Sequence, residues 1–283
     1  MELRWRHRAI NLPSGVIMGI LNITPDSFSD GGKFTTLEAA LTQAQAMIAA
    51  GALFIDIGGE STRPGAPAVS TEMEIARVVP MVEMLHRLRS QGEFEILLSI
   101  DTRKSEVARA ALTAGADMVN DVTGLRDPAM RTVCAEFGVP AVLMHMPGTP
   151  EAMRWSEAAA EFTDVVTEAR DELARLAKQA LSDGVPSVIL DPGFGFGKSV
   201  EQNLALIRRL AEIKAIGYPV LLGASRKSTL GRVTGIKNAS QLDAASIAAH
   251  LYGLMEGADI LRVHDVAGHV QAVQVWRKLA QEN

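Results

Sequence analysis

Apolar residues along this chain come in short bursts, separated by longer stretches in which they recur every three or four positions. The bursts read VIMGIL (16–21), LFIDI (53–57), EILLSI (95–100), DMVN (117–120), AVLMH (141–145), SVIL (187–190), PVLLG (219–223) and DILRV (259–263). They are β-branched or Leu-rich and too short for helices, which is the pattern of strands covered on both faces of a parallel sheet. The stretches between them carry the helical period. TLEAALTQAQAMIAAG is the first, with Thr36 placed to cap it and Gly51 to stop it, and the longest runs from about 156 to 182. Eight strand–helix units in 283 residues predict an α/β fold, a (β/α)8 TIM barrel. A short N-terminal hairpin over roughly residues 2–12 is expected to cover the barrel floor. No linker, low-complexity segment or strong repeat divides the chain, so residues 1–283 read as one domain.

Composition narrows the partners. Hydrophobic residues make up 47% of the chain, enough for a large core, and the net charge of -5 comes with dispersed Lys and Arg. Neither nucleic acid nor an acidic membrane surface is therefore expected as a partner, and no apolar run reaches the ~18 residues of a membrane span. Arg4, Arg6 and Arg8 imitate the start of a signal peptide, but Asn11 and Pro13 interrupt the apolar segment and no cleavage site follows. The single cysteine, Cys134, lies in a helical run and reads as a small buried apolar residue of a cytoplasmic protein.

DPGFGFGKS (191–199) imitates a nucleotide-phosphate loop. Such a loop needs glycine five positions before the glycine of Gly-Lys-Ser, where successive N–H groups wrap the phosphates, and that position here is Pro192, which has no N–H. The stretch instead follows a strand that ends on Asp191, with Lys198 expected as an exposed cation at a helix start. Other strands also end on polar groups: Asn22, Asp56, Asp101, Asn120 with Asp121, and His145. One aspartate at a strand end commonly caps the next helix. A set of this size, joined by Lys227, Arg262 and His264 from the last two strands, points to a barrel mouth built for a flat polar ligand carrying anionic groups. His145 alone reads as a strand-end histidine held by hydrogen bonds.

GILNITPDSFSDGG (19–32), IDIGGESTRPG (55–65), SIDTRK (99–104), NDVTG (120–124), MHMPGTP (144–150), DPGFGFGK, GASRKS (223–228) and ILRVHDV (260–266) occur in that order. The chain resembles the dihydropteroate synthase family of pterin-binding barrels from about residue 15 to 270. The resemblance implies condensation of 7,8-dihydropterin-6-ylmethyl diphosphate with 4-aminobenzoate, releasing pyrophosphate with Mg2+, by a transferase of the folate pathway that is a cytoplasmic homodimer and a sulfonamide target. It implies that Asp101, Asn120, Met144, Asp191, Phe196, Lys227 and Arg262 hold the pterin. Asn22, Thr62, Arg63, Arg262 and His264 would hold the diphosphate, with Asn22 also on the metal. Phe28, Thr62, Pro64, Phe196, Lys227 and Ser228 would surround 4-aminobenzoate, under lids formed by 24–32 and 58–68. Asp101, Lys227, Arg262 and His264 would serve catalysis.

The chemistry of these residue types agrees with that implication. A pterin edge offers N3–H beside a 2-amino group, a donor pair that suits the two oxygens of Asp191, while Asn120 both donates and accepts and Lys227 donates to a ring carbonyl. The sequence departs from the family pattern in EAMRWSEAAAEF (151–162) after strand five and in Ala224, where a larger aliphatic residue is common. The alternatives are a corrinoid-linked methyltetrahydrofolate methyltransferase, which needs no diphosphate grip, and a non-catalytic pterin-binding barrel, which would not retain STRPG and SRKS.

Overall fold

A computed structural model describes residues 2–23, 33–60, 69–148 and 162–280, with side chains of the first helix described from Leu37. Strands β1 (Glu2–Arg4) and β2 (Ala9–Asn11) form an antiparallel hairpin, and eight parallel strands follow. These are β3 (Val16–Asn22), β4 (Phe54–Gly58), β5 (Leu97–Asp101), β6 (Met118–Asp121), β7 (Ala141–Met144), β8 (Val188–Asp191), β9 (Leu221–Leu222) and β10 (Ile260–Val263). Their order around the sheet is β8-β7-β6-β5-β4-β3-β10-β9. A parallel bridge between Leu190 and Val220 joins the two ends into a ring. The (β/α)8 reading holds, hairpin included.

The helices are α1 (Lys33–Ala49), α2 (Thr71–Ser90), α3 (Ser105–Thr113), α4 (Pro128–Phe137), α5 (Val165–Ser182), α6 (Val200–Arg208), α7 (Leu210–Lys214), α8 (Ser228–Thr234), α9 (Asp243–Met255) and α10 (Val266–Ala280). Two boundaries differ from the sequence reading. Helix α1 begins three residues before Thr36, and α5 begins at Val165 because Asp164 caps it, its side chain accepting from Val166 N–H. The longest helix among the described residues is α2, not α5. Gly51 ends the first helix as expected, at a φ of 103°. Among the described residues no helix is long and apolar enough to cross a membrane.

Side chains alternate across a strand, so each barrel strand sends every second residue inward. Near the N-terminal end that inward set is apolar: Val16, Met18, Phe54, Leu97, Met118, Val142, Ile189, Leu221 and Ile260 pack as one cluster, closed from below by Leu3 and Leu12 of the hairpin. Trp5 Nε1 donates to Asp117 O at 2.6 Å and Arg6 N to Gly138 O at 2.9 Å, pinning the hairpin across the floor. Cys134 is buried in the layer between strands and helices, and burial followed by the nearby Asp121 charge pushes its thiol up to about 12. It is a packing residue, as expected.

Candidate active site

One step further along each strand the inward position turns polar. Asn22 pairs in register with Gly58, Gly58 with Asp101, and Asp101 with Asn120, so one row of the barrel carries three of the predicted site residues side by side. Asp191 pairs with Met144 two strands on, and Arg262 stands opposite Met18. The alternation that buries Phe54 and Leu97 thus also aims Asp56 and Asp101 into the mouth.

Arg262 organises this row. Its Nε donates to Asp56 Oδ2 at 2.5 Å and its Nη2 to Asp101 Oδ2 at 2.6 Å, while Asn120 Nδ2 reaches the same Asp56 oxygen at 2.9 Å. Asp56 is fully buried, and its Oδ1 has no hydrogen-bond partner among the described residues. Two carboxylates therefore share one guanidinium. Burial, with the charge of Asp56 adding to it, raises the Asp101 carboxyl to about 7 against the pull of Arg262. Burial alone would disfavour the cation, but Asp56 and Asp101 hold Arg262 firmly protonated.

Asp191 is buried on the opposite wall, where Oδ1 accepts from Gly193 N–H at 2.7 Å and burial raises its carboxyl above the usual range. The glycines after it have a steric reason. At Gly193, φ 71°, a Cβ would lie 1.8 Å from His145 O, and at Gly195, φ 85°, it would lie 3.0 Å from Lys227 Cδ. The loop thus threads between the end of β7 and the Lys227 stem. Lys227 Nζ stands 4.1 Å from the centroid of the Phe196 ring, and Phe196 packs with Met144, Met146 and Val122 into a small apolar wall.

Lys198 requires a correction. It is 5% exposed, not a solvated cation, and donates to His145 O at 3.2 Å, Gly193 O at 2.9 Å and Phe196 O at 3.2 Å. Burial lowers its amine to about 7. The Ser of the imitated phosphate loop has its own task, since Ser199 and Gln202 form a reciprocal capping box at the start of α6. His145 meets the expectation in part: its Nε2 faces Glu172 at 3.5 Å, while its Nδ1 has no hydrogen-bond partner among the described residues. Asp121 accepts from Thr123 and Leu125 within its own turn, which takes it out of the ligand-facing set.

On the far side His264 meets Ser225, whose Oγ lies 2.9 Å from His264 Nδ1 and accepts from His264 N–H at 3.1 Å. Two buried histidines stand behind this loop. Ala224 N–H donates to His250 Nε2 at 3.0 Å, and His269 Nδ1 donates to Asp265 O at 2.6 Å. Those backbone partners fix both tautomers, so in the 2.8 Å contact between the rings His250 Nδ1–H donates to His269 Nε2. Burial lowers both pKa values, and that of His145 to about 3. Such histidines contribute stability that is present above the unfolded value of about 6.5 and lost as pH falls, at about 1.4 kcal/mol per pH unit for each. Asp101 acts in the opposite sense: its contribution is present below about 3.9 and lost as pH rises to about 7. Nitrogen-resolved NMR near pH 6.5, where a free imidazole is about half charged, is expected to show all three rings mainly neutral, with His250 and His269 as Nδ1–H tautomers. A charged ring at either position would contradict the assignment.

Phe28, Thr62, Arg63 and Pro64 lie outside the described residues, as do both loop tips and most of 151–162. Of the predicted set, the structure brings together Asn22, Asp101, Asn120, Met144, Asp191, Phe196, Lys227, Ser228, Arg262 and His264 around one mouth. The sequence reading placed Asp56 among the polar strand ends of the mouth but gave it no partner or contact. Its signal was available in the strand alternation, because an inward carboxylate beneath the mouth needs a cation, and Arg262 is the inward cation of β10.

Residues 18–264 match the family model described as pterin binding enzyme. The chain is 44% identical over 270 residues to the dihydropteroate synthase of Streptococcus pyogenes, covering 94% of this chain and 96% of that one. The chain belongs to the dihydropteroate synthase family. Two solved dihydropteroate synthase structures from Xanthomonas albilineans share the architecture. The one with 4-aminobenzoic acid superposes with a TM-score of 0.89 at 44% identity, covering 99% of this chain and 98% of that one. The one in complex with 7,8-dihydropteroate gives 0.87 at 42% identity, covering 99% of each.

Proposed function

We propose that this protein joins 4-aminobenzoate to 7,8-dihydropterin-6-ylmethyl diphosphate, giving 7,8-dihydropteroate and pyrophosphate. The observation that carries this reading is the convergence of Asp191, Asn120, Lys227 and the Asp56–Arg262–Asp101 array around one barrel mouth. A pterin presents two donors to Asp191, a ring carbonyl to Lys227 and further edge atoms to Asn120. The carboxylates engage Arg262 along the edge of its guanidinium, which leaves the face to stack on a flat ring. Lys227 and Ser228 receive the aminobenzoate carboxylate beside Phe196. Asn22, Arg262 and His264 hold the diphosphate, with Thr62 and Arg63 reaching it from the second loop and Phe28, Thr62 and Pro64 completing the aminobenzoate pocket.

In this reading the bond from the methylene carbon to the diphosphate oxygen breaks ahead of attack. An aniline nitrogen is a weak nucleophile, and the dihydropterin ring delocalises the positive charge left behind. Asp101 faces that charge, while Arg262 and His264 meet the negative charge growing on pyrophosphate. The C–N bond then forms, and the amine proton passes to water or pyrophosphate.

The family implies Mg2+, and the residues present fit it. A Cβ on Gly58 would lie 3.3 Å from Asn22 Oδ1 and 3.8 Å from Asp101 Oδ2, so oxygens border a gap that glycine leaves at the mouth. Among the described residues no group of three His, Cys, Asp or Glu side chains could hold a metal, which suits an ion that takes most of its oxygens from phosphate and water. Asn22 would supply the protein oxygen, and the ion when bound would neutralise diphosphate charge. A cytoplasmic homodimer completes the proposal.

Pyrophosphate release from the two substrates with Mg2+ tests the activity directly, and no release above the enzyme-free rate would end the reading. Asn22→Ala is expected to shift the Mg2+ titration to higher concentration, whereas an identical titration would remove Asn22 from the metal.

A further inference from the structure

Three polar residues of α9, at positions i, i+3 and i+7 of one face, grip the loop that carries Lys227. Asp243 takes the guanidinium of Arg226 in a two-pronged pair, Nε to Oδ1 at 2.7 Å and Nη2 to Oδ2 at 2.8 Å. Ser246 Oγ accepts from Arg226 N–H at 2.9 Å and donates to Leu242 O at 2.7 Å. His250 accepts from Ala224 N–H, and through His269 is tied to Asp265 O beside His264. Ser246 and His250 are fully buried. We propose that α9 is a positioning element of the active site, whose Asp243, Ser246 and His250 hold residues 224–226 so that Lys227 and Ser228 meet the carboxylate of 4-aminobenzoate while Ser225 meets His264.

The backbone supports this assignment. Arg226 sits at φ 56°, a left-handed conformation that an arginine adopts only where its surroundings impose it. Glycine would adopt the same turn without strain but would forfeit the pair with Asp243. The kink reverses the chain between Ser225, which contacts His264, and Lys227, whose amine lies against Phe196. A helix that merely covers the barrel needs an apolar stripe. This one spends three inward positions on two residues, Ala224 and Arg226, of the loop that leads to Lys227.

The consequence differs between the two substrates. In the proposed reading the pterin keeps its contacts with Asp191, Asn120 and Arg262 on strands that α9 does not hold and shares only one contact, at its ring carbonyl, with Lys227, whereas the aminobenzoate carboxylate depends on Lys227 and Ser228 together. Ser246→Ala and Asp243→Asn in the full chain are therefore expected to raise KM for 4-aminobenzoate by about tenfold, with KM for the pterin diphosphate changing less than about threefold. Lys214→Met serves as the stability control. It breaks a pair with the buried Asp259 at the floor end of the barrel, 2.5 Å Nζ to Oδ2, and is expected to lower Tm without moving either KM. This inference rests on the proposed contact of Lys227 with aminobenzoate, so Lys227→Ala is measured alongside. If Lys227→Ala raises KM for 4-aminobenzoate and both α9 variants behave like Lys214→Met, the positioning role is overturned while the site assignment stands. If Lys227→Ala leaves that KM unmoved, the site assignment fails and takes this inference with it.

Discussion

Asp101→Asn is expected to lower kcat by roughly a hundredfold to a thousandfold, about 2.7 to 4 kcal/mol of transition-state stabilisation. The substitution keeps the size of the side chain and one acceptor for Arg262 Nη2, so the pterin pocket retains its shape. What disappears is the negative charge facing the methylene carbon as it becomes cationic, in a site where the Asp101 carboxylate is largely buried against Arg262. Pterin affinity should fall much less than kcat. The raised carboxyl adds a second signature: if the ionised form is the working one, kcat/KM rises with pH through about 7 and levels off above it. The asparagine variant should lack that acid limb. Oxygen-isotope scrambling between bridging and non-bridging positions of the diphosphate, measured without aminobenzoate, examines the same step. Absence of scrambling, together with carbon isotope effects showing strong bonding to the incoming nitrogen, would replace this mechanism with concerted displacement and return Asp101 to a pterin-binding role.

Asp191→Ala is expected to weaken pterin binding by about 2 to 4 kcal/mol, or roughly thirtyfold to a thousandfold. Two ligand donors lose an acceptor in a pocket from which water is largely excluded, and unpaired buried donors are costly. The loss also has a local side, because Gly193 N–H donates to Asp191 Oδ1 and would need another acceptor. Asp191→Asn separates the two effects: it retains an oxygen for Gly193 but places an amide against the ligand's donors, so affinity should still drop by at least tenfold. Calorimetry showing less than a threefold change for the alanine variant would remove Asp191 from the pterin edge.

The barrel was legible because parallel strands covered on both faces are largely apolar, and six of the eight runs stop at a polar residue within one position of where the strand ends, the other two stopping at Gly58 and Gly223. Helix starts were less legible. The start of α5 is set by Asp164, whose carboxylate accepts from Val166 N–H and also pairs with Arg209, and the helical period does not single out that position. The candidate site was legible where a polar residue closes a strand, as Asp191 and Asn120 do, or stands in the loop that follows one, as Lys227 does. It was illegible where a residue acts on another residue. Lys198 reads as a surface cation, since lysines rarely enter interiors, and only the three carbonyls turned toward it after folding explain its burial. The grip of α9 on Arg226 was hidden for the same reason, for periodicity reports which face of a helix is covered but not what covers it.

The close approach at Gly193 reaches beyond catalysis. A side chain there would collide with the carbonyl of His145, so no other amino acid fits without moving the end of β7. An inhibitor that draws its affinity from the main chain of 192–194 would therefore contact atoms that point mutation cannot readily alter. Resistance to such a compound would have to arise at positions outside this turn, among residues whose side chains can change without displacing the backbone.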